Sequence, residues 1–147
     1  METKLFNSKF ELALRILLIL GQKESASLDK LLALDFITTY AFSFNLSKNN
    51  LHGDNAFHYS EIASRRSMLD KGISLLRMYN LLEINYSGRN GYEYHLTDLG
   101  HSIEDQLDDQ YANDYRQVLS KVIGKYSRFS SKELMNLIDS NLMKELG

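Results

Sequence analysis

Residues 81–100 read LLEINYSGRNGYEYHLTDLG, and this stretch decides the fold. Apolar and polar residues alternate on both sides of Asn90-Gly91, as they do in two short strands joined by a tight turn. The segment then passes into Thr97-Asp98, a pair typical of a helix N-terminus. A β-hairpin within residues 82–96 is therefore predicted, followed directly by a helix.

Two helices are predicted near the start of the chain. Ser8 and Glu11 have the spacing of a capping box, and the apolar helix that they open is expected to end at Gly21. Ser27 caps a second helix, which runs to about residue 42.

A long polar stretch separates these helices from the next one. Residues 43–57 show no sustained period and are predicted to form a loop, longer than most connections inside a compact domain and therefore of functional interest. A third helix is predicted at about residues 60–80, with Ser60 as its cap. Its buried stripe repeats at helical spacing and consists of Ile62, Leu69, Ile73 and Leu76.

Further helices are predicted after the hairpin. One covers about residues 100–110, and a strongly amphipathic one follows over residues 111–126. Ser130 and Glu133 form a second capping box and open a final helix.

This order of elements, three helices, a hairpin and a helix, is that of a winged-helix domain in which the hairpin is the wing. We therefore predict a mainly α fold with a small β-hairpin. A single domain is expected over residues 1–147, with a winged-helix core at 8–100, the wing at 82–96 and a C-terminal helical extension at 101–147. Such a fold does not by itself state a function.

The composition excludes several function classes. Of the 147 residues, 17 are Lys or Arg and 19 are Asp or Glu, so the formal charge is −2. Because affinity for nucleic acid depends largely on many Lys and Arg contacts, DNA binding would require a local basic patch. The absence of cysteine fits a reducing, cytoplasmic setting. The longest apolar run, residues 12–20, is shorter than the roughly 20 residues that cross a bilayer.

No catalytic site is predicted. The four histidines lack the spacing of metal ligands, and Gly88 and Gly91 lack the Lys-Ser/Thr sequel of a phosphate-binding loop. No nucleophile and base can be paired from their spacing. The chain is therefore expected not to be an enzyme, and to use no metal, cofactor, small-molecule substrate or membrane.

The outward side of the third helix distinguishes DNA binding from protein binding. A helix that reads DNA offers several Arg, Lys, Asn or Gln side chains, and here Lys71 is the one that is well placed. Arg65, on a flank, and Arg89, at the wing tip, are the other candidate nucleic-acid contacts. The outward residues are otherwise small or apolar: Ser60, Ser64, Ser67, Ser74 and Met78.

Apolar residues beside this face are candidates for binding a protein partner. They pack either on the C-terminal helices of the same chain or on another protein, and comprise Met68, Leu75, Met78 and Tyr79. Tyr111 and Tyr115 are further candidates, since Tyr is enriched at interface centres, and core positions are the alternative for both.

One acidic residue requires a partner inside the chain. Asp35 lies within the apolar run of the second helix and must be paired if it is buried. Arg66 is predicted to form a structural ion pair with a carboxylate such as Asp35 or Asp70, which would hold two helices in register.

A set of short stretches carries a family resemblance over about residues 5–100. They are Phe6-Asn7-Ser8 with Glu11 and Arg15, Asp35-Phe36, Leu51-His52-Gly53, Ser60-Glu61 with Arg65-Arg66, Gly72, Leu75-Leu76, and the wing from Tyr86 to Thr97. Together they resemble the middle component of bacterial ABC-three-component systems. Members of that family typically have prolines where this chain has Lys9 and Gly53.

The resemblance implies a winged-helix accessory subunit of a Lamassu-like system, which protects bacteria against phages and plasmids. Its partners would be an ABC ATPase of the structural-maintenance-of-chromosomes (SMC) type and an effector, often a nuclease, with DNA contacted indirectly through the complex. The alternative hypothesis is a homodimeric winged-helix transcription regulator, dimerised through residues 111–142 and binding DNA with Lys71, Arg65 and Arg89. A hydrolase with an unrecognised site comes third.

Overall fold

The computed structural model describes the backbone of residues 8–41 and 58–146 and the side chains of residues 8–41 and 62–140. This part of the chain is mainly helical and contains one antiparallel hairpin, as predicted. The elements are α1 (Lys9–Gln22), α2 (Leu28–Thr39), α3 (His58–Met78), β1 (Leu82–Ser87), β2 (Gly91–Leu96), α4 (Asp98–Gln106), α5 (Gln110–Tyr126) and α6 (Ser131–Leu146).

The predicted N-caps at Ser8, Ser27, Thr97 and Ser130 are confirmed, whereas Ser60 is not a cap because it lies inside α3. Ser8, Ser27 and Thr97 each accept a hydrogen bond from the backbone N–H three residues later, at 3.2, 3.2 and 3.0 Å. Ser130 and Glu133 form the reciprocal capping box, with contacts of 3.1 and 2.8 Å. These caps satisfy N–H groups that have no partner within the helix.

The helix boundaries differ from the expected ones by a few residues. Helix α1 continues through Gly21 to Gln22, and α3 begins at His58 rather than Ser60. At its other end α3 stops two residues before Asn80, which takes a left-handed conformation with φ 62° and turns the chain toward β1. The loop predicted at residues 43–57 lies outside the described residues.

The hairpin has a longer turn than the Asn-Gly pair suggests. Its register runs from Leu82 opposite Leu96 to Ser87 opposite Gly91, so three residues form the loop. Gly91 has φ +73°, which a side-chain-bearing residue rarely adopts. Ala26, between α1 and α2, adds one antiparallel bridge to Tyr94, with N···O distances of 3.1 and 2.8 Å.

Buried apolar side chains from α1, α2, α3, α5, α6 and the base of the hairpin form one cluster. Helix α1 packs along α3, while α2 packs against α5 and α6. Gly72 allows the close approach of α3 to α1, because a β-carbon there would lie 3.0 Å from the backbone nitrogen of Ala13. Among the described residues, no helix has the length and apolar character needed to cross a membrane.

Candidate functional site

The outward side of α3 is solvent-exposed as predicted. We call Ser64, Ser67, Lys71, Ser74 and Met78 the α3 face; all five side chains are exposed, and Met78 is 74% accessible. The buried stripe on the opposite side is confirmed for Leu69, Ile73 and Leu76, whereas Ile62 is half-buried. The face is therefore a polar and apolar mixture with one cation at its centre.

A groove of about 400 Å³ runs between the α3 face and the start of α1. Leu75 lies in it half-buried against the core, while the neighbouring Phe10 on α1 is 64% exposed. The groove combines an apolar floor with charged edges and is lined by Lys9, Asp70, Lys71, Ser74, Leu75 and Met78.

The candidate partner-binding residues fall into two groups. Met78 and Tyr79 are exposed, at 74% and 64%. Met68 is half-buried against the core, and Tyr111 on α5 is partly buried beside Arg15 of α1. Tyr115 is 0% exposed, so its assignment to a partner surface is wrong and its alternative assignment to the core is confirmed.

The candidate nucleic-acid contacts also separate. Lys71 and Arg89 are exposed, the latter at the tip of the hairpin. Arg65 is only 1% exposed, so its side chain is not available to a phosphate. Its guanidinium lies 5.1 Å from the ring centroid of Phe36 and 5.4 Å from that of Tyr40, in contacts that hold it inside the chain.

The buried charge at Asp35 organises what we call the Asp35 cluster: Asp35, Arg15, Arg65, Tyr115 and Thr39. Arg15 donates to both carboxylate oxygens, at 2.8 and 3.1 Å, and Arg65 donates to Oδ2 at 3.0 Å. The Tyr115 hydroxyl donates to Oδ1 at 2.6 Å. Thr39 accepts from Arg65 at 2.7 Å. The cluster thus ties α1, α3 and α5 to α2.

The electrostatics of the cluster favour the charged forms. Burial works against ionisation of Asp35, but Arg15, Arg65 and the hydrogen bond from Tyr115 lower the pKa of its carboxyl group below the usual value. Burial likewise opposes the charge on Arg15, and the Asp35 carboxylate outweighs it and raises the pKa of the guanidinium. A carboxylate shared by two guanidiniums is therefore ionised at neutral pH.

The predicted pairing of Arg66 with Asp35 is wrong. Arg66 donates instead to Asp29 at 2.8 Å, and the two side chains are 44% and 54% exposed. Consecutive residues on a helix point about 100° apart, so when Arg65 turns inward its neighbour reaches the surface. The sequence held part of the evidence for the true partners of Asp35. Arg15 is a charged residue inside an apolar run, as Asp35 is, and two such residues of opposite charge can pair in the core.

The hairpin carries an aromatic pair that sequence reasoning did not place. Tyr86 and Tyr92 are cross-strand partners with ring centroids 4.9 Å apart, and they are 67% and 61% exposed. They share a face with Leu82 and Leu96 at the base, which are buried. This face of the hairpin is therefore buried at its base and exposed to solvent at its tip.

Alkaline pH is expected to destabilise the folded protein, because the folded structure raises the pKa values of two tyrosine phenols. Burial raises the pKa of Tyr111 to about 12, and burial together with the Asp35 carboxylate raises the pKa of Tyr115 well above its ordinary value. The unfolded chain then loses protons near pH 10 that the folded chain retains. The free energy of unfolding should be unaffected by these groups below about pH 10 and fall above it by about 1.4 kcal/mol per pH unit for each phenol.

Urea titrations from pH 8 to 11.5 measure this dependence. Tyr115→Phe should reduce the slope without abolishing it, because burial also raises the pKa values of the Tyr111 and Tyr94 phenols. An identical slope for Tyr115→Phe and the unmodified protein would contradict the assignment.

In the part of the chain that the structure describes, no three His, Cys, Asp or Glu side chains are grouped so that they could hold a metal ion. The Asp35 cluster is buried away from solvent, and its hydrogen bonds join α1, α3 and α5 to α2. The described residues thus define a small, mainly helical protein with one hairpin, an exposed α3 face and a groove beside that face.

Comparison with known families agrees with that class. The chain belongs to the family described as ABC-three component (ABC-3C) system Middle Component 2, whose model matches residues 5–147. The resemblance predicted over residues 5–100 is thereby confirmed and extends through the C-terminal helices. Searches of curated proteins and of solved structures found no match.

Proposed function

We propose that this chain is a non-catalytic winged-helix subunit of a bacterial anti-phage or anti-plasmid defence complex. In this proposal it binds an SMC-like ABC ATPase and couples that subunit to an effector nuclease. Membership in a middle-component family supports the proposal, since a middle component acts together with other subunits.

The arrangement around the hairpin supports the winged-helix part of the proposal. Helix α3 leads directly into β1, and Ala26 adds a bridge to β2 at Tyr94, so the segment between α1 and α2 pairs with the free edge of β2. We assign residues 8–100 to the winged-helix core and residues 101–147 to a helical extension of the same domain.

The observation that carries the proposal is the composition of the α3 face. Three serines and Met78 surround Lys71. Of the two arginines beside this face, Arg65 is used inside the Asp35 cluster and Arg66 pairs with Asp29. A duplex-reading helix would present several donors to base edges and phosphates. This face suits a protein partner better, and DNA would be contacted through the complex.

The alternative, a homodimeric winged-helix regulator, loses two of its supports. Arg65 is buried, and much of the apolar side of α5 is already covered within the chain at Tyr115, Val118, Leu119 and Val122. A sequence-selective, salt-dependent shift of promoter DNA by the isolated chain would favour this alternative.

Co-purification tests the proposal. When the tagged chain is expressed together with the ATPase and effector encoded beside it, we expect both to elute with it from an affinity column in a complex that survives size-exclusion chromatography. Lysate that contains an unrelated ABC ATPase is the control. Elution of the chain alone in the presence of both neighbours would contradict the proposal.

A further inference from the structure

We infer that the α3 face and its groove bind one amphipathic helix of the partner ATPase, a helix with an apolar seam and an acidic edge. This inference rests on the proposed function for the identity of the partner. The exposed tyrosine pair of the hairpin and the polar cleft near Lys23 and Lys30 carry no feature that selects a ligand.

The spacing of the α3 face fits a helix lying alongside α3. Residues 64, 67, 71, 74 and 78 are separated by three, four, three and four positions, the spacing of the seam in a coiled coil. All five are exposed over nearly four turns. A second helix with the same periodicity can therefore stay in register with this line along its whole length at a shallow crossing angle.

Side-chain size along the line permits close packing. Ser64, Ser67 and Ser74 are small, so the axis of a second helix can approach to the separation of about 8–10 Å seen for packed helices. Met78 and Leu75 at the C-terminal end provide the apolar part of the groove. Helix-in-groove complexes use such positions to hold the apolar anchors of the bound helix, and Met adapts readily to their shape.

Charge selects the character of the bound helix. Lys9 and Lys71 lie at the groove with Asp70 as the acidic residue, a local excess of one positive charge. Within the described part of the chain neither lysine has a carboxylate partner, whereas Arg15, Arg65, Arg66 and Arg116 all do. An acidic edge on the incoming helix would complement the ammonium groups of Lys71 and of Lys9, whose Nζ lies 5.4 Å from the ring centroid of Phe10, and would set the orientation of that helix.

The test measures binding of the full-length chain to the purified neighbouring ATPase by biolayer interferometry. Three variants of the α3 face should each raise the Kd at least tenfold: Met78→Glu, Lys71→Glu and the double change Ser67→Gln/Ser74→Gln. Matched changes at exposed positions of α4 and α5, Leu99→Glu, Lys121→Glu and Ser102→Gln/Ser120→Gln, should stay within twofold. Circular dichroism melts of each variant verify that these surface changes leave the fold intact.

Salt provides a second measurement. The loss of affinity for the ATPase caused by Lys71→Glu should shrink as ionic strength rises, because screening weakens contacts between exposed charges. The loss of affinity caused by Met78→Glu should persist in part, because that variant also lacks an apolar contact.

The outcomes separate the two levels of the proposal. If the unmodified chain does not bind the ATPase, the proposed function fails. If it binds and the α3-face variants bind equally well, the proposed function stands and this inference is overturned. A chain that self-associates and becomes monomeric on Met78→Glu would assign the face to a second copy and also overturn the inference.

Discussion

Replacing Asp35 with asparagine is expected to lower the free energy of unfolding by about 3–5 kcal/mol, the cost of breaking a buried ion pair. The change leaves the guanidiniums of Arg15 and Arg65, which are 0% and 1% exposed, without their shared carboxylate. Arginine cannot shed its proton in a protein, so neither group can escape by neutralisation. Urea unfolding followed by circular dichroism at neutral pH measures the loss.

Asp29→Asn is the matched control for that change. It removes the same charge from the same helix, but the pair that Asp29 forms with Arg66 is about half exposed. Exposed ion pairs contribute about 0–1 kcal/mol, so we expect a small change. Equal losses for Asp35→Asn and Asp29→Asn would show that the buried cluster does not hold the helices together.

Replacing Gly100 with alanine is expected to be the most damaging change of a single methyl group. A β-carbon at this position would lie 2.1 Å from the carbonyl oxygen of Leu81, and that oxygen already accepts a 3.1 Å hydrogen bond from the Thr97 N–H. Backbone atoms, not a flexible side chain, would have to move where α3, the hairpin and α4 meet. We expect a loss of about 3 kcal/mol, at the upper end of the usual cost of overpacking.

Gly124→Ala is the control, because it introduces the same methyl group into another helix. A β-carbon there meets no atom within 4 Å, and alanine favours the helical conformation over glycine by about 1 kcal/mol. Thermal unfolding should therefore show Tm falling for Gly100→Ala and rising for Gly124→Ala. Shifts of the same sign would refute the packing argument.

Local patterns predicted the elements of this fold well. The hairpin, the N-caps at Ser8, Ser27, Thr97 and Ser130, and the outward side of α3 all follow from contacts between residues close in sequence. The turn was predicted less well, since the Asn-Gly pair indicates a two-residue loop and the register that the two strands adopt leaves three.

The candidate site was predicted in part. The exposure of Lys71, Met78 and Arg89 follows from helical and hairpin geometry, and all three are exposed. The family resemblance came from the sequence and is shown by the family model over residues 5–147. The roles of Arg65 and Tyr115 were not predicted, because the same residue types at the same spacing suit a surface as well as a core.

What the sequence determined by itself was therefore the order of the elements, their caps and the need of Asp35 for a partner. Periodicity and capping act over three or four residues, and a charged residue within an apolar run needs a hydrogen-bonding or ionic partner if it is buried. Tertiary structure decided which charges meet: Arg15, Arg65 and Tyr115 lie 20, 30 and 80 positions from Asp35. Contacts over such distances depend on how whole helices rotate against one another, and a rotation of one residue exchanges Arg65 for Arg66.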